Sequence, residues 1–122
     1  MGYVRVRGII GGPTGSITRE VYFLADTGAF YTTVPPDLAK ELDIKPVAKT
    51  TLLLADKRKV EVGTALAYIK ILDREAVLQV AILEVPEPLL GVTALEGLGI
   101  KVDPSTGEVE YSRPYGVALL KN

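Results

Sequence analysis

Polar and apolar positions alternate through most of this chain with a period of two, the pattern of half-buried strands rather than helices. From Tyr3 to Ile10, Arg5 and Arg7 fall on one face and Val4 and Val6 on the other. Gly11-Gly12-Pro13-Thr14-Gly15 supplies turn residues. Ile17 to Ala25 resumes the strand pattern, so the first two strands are predicted to form a hairpin. Arg5 and Arg7 are expected on the solvent face of an edge strand, where charge deters edge-to-edge pairing. Tyr31 to Val34 is a short β-branched run.

Periodicity changes at Pro35-Pro36-Asp37, which opens the best helical segment. Leu38, Ala39 and Leu42 share one apolar side, Asp37 is expected at the helix start, and Ile44 with Pro46 closes it. Val47 to Leu54 and Val60 to Leu72 read as strands around the turn-like Asp56-Lys57-Arg58-Lys59. Asp73-Arg74 is a second tight connection, followed by a strand from Glu75 to Val85. Leu89-Leu90-Gly91 leads into a short helix from Thr93 to Leu98, with Gly99 where a C-terminal cap belongs. A last hairpin is predicted from Ile100 to Tyr111 about a turn at Asp103 to Gly107, and the tail Gly116 to Leu120 is apolar enough to pair or pack. Many short strands with one or two short helices predict a mostly β, closed-barrel-like domain. The 122 residues are expected to form a single domain, 1–122.

Composition narrows the chemistry. Apolar residues make up 48% of the chain, enough for a real core, and 24% are charged. The 14 basic and 15 acidic residues leave a net charge of −1, without the basic excess of a nucleic-acid binder. There is no Cys and no His. A Ser-His-Asp triad, a thiol nucleophile and a His-bearing zinc site are therefore impossible from this chain. General acid–base work falls to Asp, Glu, Lys or Tyr. No stretch resembles a signal peptide or a membrane span, so a cytoplasmic protein with no membrane partner is expected.

Asp26-Thr27-Gly28-Ala29 then stands out, because it follows the apolar run Val21-Tyr22-Phe23-Leu24-Ala25. A carboxylate at the end of a buried strand is costly unless it is hydrogen-bonded or paired, and chains accept that cost where the group does chemistry. Taken alone the tripeptide is ordinary turn chemistry. Two further features stand with it: the hairpin from Leu52 to Val62, and Leu89-Leu90-Gly91, whose Gly91 lies 65 positions after Asp26. Two apolar residues and a Gly fit a strand passing close under another backbone.

Together these segments resemble the retroviral-type, or retropepsin-like, aspartic proteases, from about Val4 to Tyr111. The resemblance implies an acid-protease half-domain that works as a homodimer, each subunit supplying one Asp. Asp26 is then the catalytic residue, with Thr27 and Gly28 supporting the active-site loop. Gly28, Ala29 and the flap-tip residues Asp56, Lys57 and Arg58 would meet an extended peptide or protein substrate. The two carboxyls would share one proton and activate a water, with no metal or cofactor. Thr106-Gly107 echoes the tripeptide, but Ser105 replaces the acid and a hairpin turn is expected there.

The chain also departs from that family. Phe30-Tyr31 stands where retroviral enzymes carry an acidic pair, and Val92 where they carry an Arg. The ion pair those residues form is therefore absent, and the contact that braces the dimer is left open. Ala29 has no hydroxyl to favour an ionised Asp26, so a pH optimum less acidic than pepsin's is expected. Lys57-Arg58-Lys59 reads most simply as a solvated tip. Two other readings stay open: a non-catalytic dimeric peptide-binding module of the same fold, and an assembly subunit in which Asp26 is an incidental turn residue.

Overall fold

The alternation of the first segment becomes a strand because its two faces meet different surroundings. In a computed structural model of the chain, residues 4–54 and 56–114 are described. Strand β1 (Arg5–Gly11) buries Val6 and Ile10 and leaves Arg5 and Arg7 in solvent. It pairs antiparallel with β2 (Thr18–Ala25), Arg5 opposite Leu24 and Gly11 opposite Thr18. The expected edge is only half an edge. The end of β1 also pairs with β5 (Lys59–Ile71), Ile9 opposite Lys70 and Gly11 opposite Tyr68.

The expectation that Asp26 follows a buried strand needs correction. Of the run Val21 to Ala25 only Phe23 is fully buried, and Tyr22 is 59% exposed. One face of β2 meets the core and the other does not. Burying a side chain the size of Phe23 contributes about 2 kcal/mol.

The remaining elements are β3 (Thr32–Val34), α1 (Pro36–Glu41), β4 (Ala48–Leu53), β6 (Arg74–Ile82), β7 (Leu89–Leu90), α2 (Val92–Leu98), β8 (Ile100–Val102) and β9 (Val109–Tyr111). Seven strands form one sheet in the order β1-β2-β7-β3-β6-β5-β4, and the β1–β5 pairing curls it into a barrel-like ring. Strands β8 and β9 make a separate hairpin. The architecture is mostly β with two short helices, as the pattern predicts.

Local chemistry explains the boundaries. Pro35 occupies the N-cap of α1 and Pro36 follows, where a missing N–H costs nothing. Asp37 lies inside the first turn rather than at the cap, and no side chain caps this helix. Helix α2 ends at Gly99, whose φ of 68° is the left-handed conformation that a C-cap favours. The Asp103 to Gly107 turn closes through the Gly107 amide donating to the Asp103 carbonyl, which confirms the hairpin reading of Thr106-Gly107. The tail Gly116 to Leu120 lies outside the described residues.

Inside the ring, Val6, Ile10, Phe23, Ile69, Val80 and Leu90 are almost completely buried. Ala94 and Leu98 close it from α2, and Ala39 of α1 closes it with Leu42 just after that helix. This core sets the floor on which the Asp26 turn rests. Among the described residues, no helix is long and apolar enough to cross a membrane.

Candidate active site

Strand β2 ends at Ala25, and the chain turns at once through Asp26, Thr27 and Gly28. The turn closes on itself: the Gly28 amide donates to Asp26 Oδ1 at 3.1 Å, and the Ala29 amide donates to the Asp26 carbonyl at 3.1 Å. Asp26 is half-buried, while Thr27 and Gly28 are exposed. In the single chain the carboxylate therefore sits at the surface, one oxygen held by a backbone amide. Asp26, Thr27, Gly28 and Ala29 come together as one compact turn.

The turn is anchored by β7 and the start of α2. Strand β7 lies between β2, to which it is parallel (Ala25 opposite Leu90), and β3, to which it is antiparallel (Thr33 opposite Leu89). The Asp26 amide donates to the Leu90 carbonyl at 2.9 Å. Beyond the turn, the Val92 amide donates to the Ala29 carbonyl at 2.8 Å and the Thr93 amide to the Phe30 carbonyl at 3.0 Å. The main chain is thus tied on both sides of Gly28.

Gly91 explains the spacing read from the sequence. A Cβ built there would stand 2.4 Å from the Tyr31 carbonyl oxygen and 2.9 Å from the Thr32 amide nitrogen. No side chain fits, so β7 can pass this close to the loop only with Gly at 91. The Gly91 amide donates to Thr32 Oγ1 at 3.0 Å. Thr32 is 1% exposed, so this bond satisfies two polar groups that water does not reach. Sequence reasoning took Thr32 only as part of a β-branched run. Its partner is 59 positions away, and no local pattern carries that signal.

Phe30, Tyr31 and Val92, the positions at which the expected departure from the retroviral pattern removes an ion pair, make other contacts. Phe30 and Tyr31 pack edge to face with ring centroids 5.0 Å apart, and Phe30 is 64% exposed. Val92 contributes its backbone amide to the loop. A buried basic residue was also missed. Arg74, read as part of a tight turn, is 9% exposed and donates to the carbonyls of Leu98, Gly99 and Arg113.

The other predicted site residues lie at the far end of the β4–β5 hairpin. There the Arg58 amide donates to Asp56 Oδ1 at 3.0 Å, and Arg58 Nε donates to Asp56 Oδ2 at 2.6 Å. The Arg58 amide and guanidinium together hold the Asp56 carboxyl below its ordinary range. Two of the tip charges therefore neutralise each other. Lys57 and Lys59 form no ion pair among the described residues, and Lys57 adopts a φ of 72°. No hydrogen bond or ion pair joins Asp56, Lys57 or Arg58 to the Asp26 turn among the described residues.

Two surface concavities lie elsewhere. One of about 290 Å³ is lined by α1 and the segment after it, including Ala39, Ile44 and Pro46. The other, about 470 Å³, is lined by Val21, Leu38, Glu41 and Pro86 among others. The Asp26 turn lines neither of them.

Comparison with known proteins follows the same lines. Residues 6–94 match the family model described as aspartyl protease, a span from β1 to the first turn of α2 that includes the Asp26 turn and Gly91. No curated protein sequence matches the chain. Among solved structures, EIAV protease complexed with the inhibitor HBY-793 has a similar fold, with a TM-score of 0.65 over 84% of this chain and 93% of that chain at 20% identity. With most of its length under that family model, the chain belongs to the aspartyl protease family, and its fold around the Asp-Thr-Gly turn is that of a retroviral protease.

Proposed function

We propose that the chain is an aspartic endopeptidase whose active site is completed by a second copy of itself, each copy contributing Asp26. The observation that carries this reading is the anchoring of the Asp26 turn by β7 and α2, with the carboxylate left half-buried at the surface. A turn with no task beyond reversing the chain needs no such anchoring. The chain holds one Asp-Thr-Gly, and the chemistry needs two acids. A two-fold axis is the simplest way for one kind of chain to supply both.

Two carboxyls at roughly 3 Å cannot both ionise, so the pair carries one proton. The ionised member takes a proton from a water, which attacks the carbonyl carbon of the scissile peptide bond. The protonated member donates to the carbonyl oxygen as the tetrahedral centre forms. Proton return to the amide nitrogen then releases the amine. Gly28, with no side chain and an exposed backbone, lets a substrate strand lie close to the acids. Exposed Thr27 would stand beside its twin near the axis and hold the two turns in register. The β4–β5 hairpin, with Asp56, Lys57 and Arg58 at its tip, would fold over an extended peptide and add to it as a strand. Ala29 offers the ionised acid no hydroxyl, which supports an optimum less acidic than pepsin's.

Asp26→Asn keeps the shape of the turn and removes the acid. Loss of peptide cleavage by on the order of a thousandfold or more is expected, the scale of a lost general acid–base group. Cleavage of a peptide mixture at equal rates by both proteins would remove the assignment.

A further inference from the structure

Outside the Asp26 turn, Arg74 is the buried charged side chain among the described residues. It begins β6 and is 9% exposed, yet it forms no ion pair among the described residues. A buried guanidinium is costly unless its donors are used. Here Nη1 donates to the carbonyls of Leu98 and Gly99 at 3.1 and 3.0 Å, and Nη2 to the carbonyl of Arg113 at 2.8 Å. The Tyr111 ring packs against it, 4.1 Å from Cζ, and the Tyr111 hydroxyl donates to the neighbouring Asp73 carboxylate.

Leu98 and Gly99 form the C-terminal end of α2. That helix has seven residues, no side chain bonded at its N-cap and no basic residue in its last turn. Two turns of helix do not persist by themselves. Its position is set by the core residues Ala94 and Leu98, by the cation at its negative end, and by the loop at its other end. That loop is the Asp26 turn, whose Ala29 and Phe30 carbonyls accept from the Val92 and Thr93 amides. Arg74 and the Asp26 turn therefore grip opposite ends of one short rod, whose C-terminal end also carries the Gly99 cap and accepts from the Arg113 guanidinium at Gly97 and from the Ser112 amide at Gly99.

We propose that Arg74 is a positioning residue for Asp26, acting through α2. The inference rests on the reading of Asp26 as one of a carboxyl pair. With the guanidinium removed, α2 loses the two side-chain hydrogen bonds that Arg74 gives the Leu98 and Gly99 carbonyls at its far end, and its N-terminal amides carry the residues just after Asp26 with them. A displacement of a fraction of an ångström, doubled across a two-fold axis, separates two acids that must share a proton. Such misplacement lowers turnover while leaving most of the substrate contacts in place.

The test uses Arg74→Met, which keeps the apolar stem and removes every donor, and Arg74→Lys, which keeps a charge that reaches the helix end. Both are assayed on the full chain, as the dimer, well below their melting temperatures. Turnover of the Met variant is expected to fall roughly tenfold or more, with KM changed by less than about threefold. The two limbs of its pH–activity bell are expected to draw together. Their separation reflects the strength of interaction between the two carboxyls, which weakens with distance. Around Arg74 itself, the hydrogen bond between them holds Asp73 below the carboxylate range and Tyr111 above the phenol range, so neither titrates at mildly acid pH. Arg74→Lys is expected to recover part of the turnover and of the bell width. Tyr111→Phe, which keeps the ring on the guanidinium, is expected to stay within about twofold of wild type.

A bell of wild-type width and a wild-type turnover in folded Arg74→Met would overturn the proposal. Should the Met variant fail to fold, the Lys variant decides alone, and an unchanged bell in it is equally fatal. Failure of the underlying reading looks different. Asp26→Asn would then cleave as wild type does, and no carboxyl pair would exist to be positioned.

Discussion

The Asp26 turn and the tip of the β4–β5 hairpin are both short connections at strand ends, and they are held in opposite ways. The first takes its bonds from distant sequence: Leu90, Val92 and Thr93 meet it through the main chain, and Gly91 packs directly on Tyr31. The second takes its bonds from itself. The Leu54 amide donates to the Arg58 carbonyl, the Lys57 amide to the Leu54 carbonyl, and Asp56 holds Arg58. One site is fixed by the whole fold. The other can lift away as a unit without breaking a single tertiary hydrogen bond among the described residues. In the enzyme proposed above, that contrast would set a rigid acid under a cover that opens.

Three changes would break or sharpen this contrast. The largest effect is expected from Gly91→Ala, because the new methyl would run into the Tyr31–Thr32 peptide unit, which is main chain and cannot swing aside. Loss of about 3 kcal/mol of stability is expected, the upper end of ordinary overpacking. A denaturation midpoint equal to that of wild type would show that the loop yields more than its bonds suggest.

Thr32→Val comes next. It keeps the shape of a buried side chain and strands the Gly91 amide without an acceptor. A cost of about 1–2 kcal/mol is expected. Hydrogen exchange should quicken at the amides of Gly91, Val92 and Thr93 more than at β5. Uniform quickening throughout the chain would count against a local anchor.

The smallest effect belongs to the hairpin tip. Asp56→Asn removes a solvent-exposed ion pair, and the melting temperature is expected to stay unchanged. The local pairing has a defined pH window. Because the folded state holds Asp56 below its ordinary range, the pairing is complete above the usual carboxylate value, about 3.9, and fades as pH falls through the lower folded-state value. Protection of the Arg58 amide should therefore survive at pH 4 to 5 and disappear in stronger acid. Its loss already at pH 5 would mean that the tip is not tied by Asp56.

Much of this arrangement was legible in the sequence because its signals are local. Period-two alternation located β1, β2, β5 and β6, and Gly99 marked the end of α2 at the residue where the left-handed conformation occurs. Asp-Thr-Gly and Leu-Leu-Gly pointed to the loop and to the strand beneath it. The misreadings share one cause. Arg74 looked like a turn residue because its partners at Leu98, Gly99 and Arg113 lie 24 to 39 positions away. The exposure of β2 could not be seen either, since composition does not say which face of an apolar strand is covered. Val92 gave no signal of its part in the site, because it ties the Asp26 loop through its backbone amide, and every residue except proline has that amide.

The insertion of β7 between β2 and β3 has a consequence for how the molecule comes into being. The residues that immobilise the acid follow it by more than 60 positions, so the order of synthesis separates the two events. A nascent chain presents Asp26 early, in an unanchored segment, and the pocket floor arrives only when residues 89–93 leave the ribosome. Non-local closure of this kind is slow, and β3 must wait for its neighbour. The Asp26 turn is therefore without its backbone anchors in the growing polypeptide until residues 89–93 have been made.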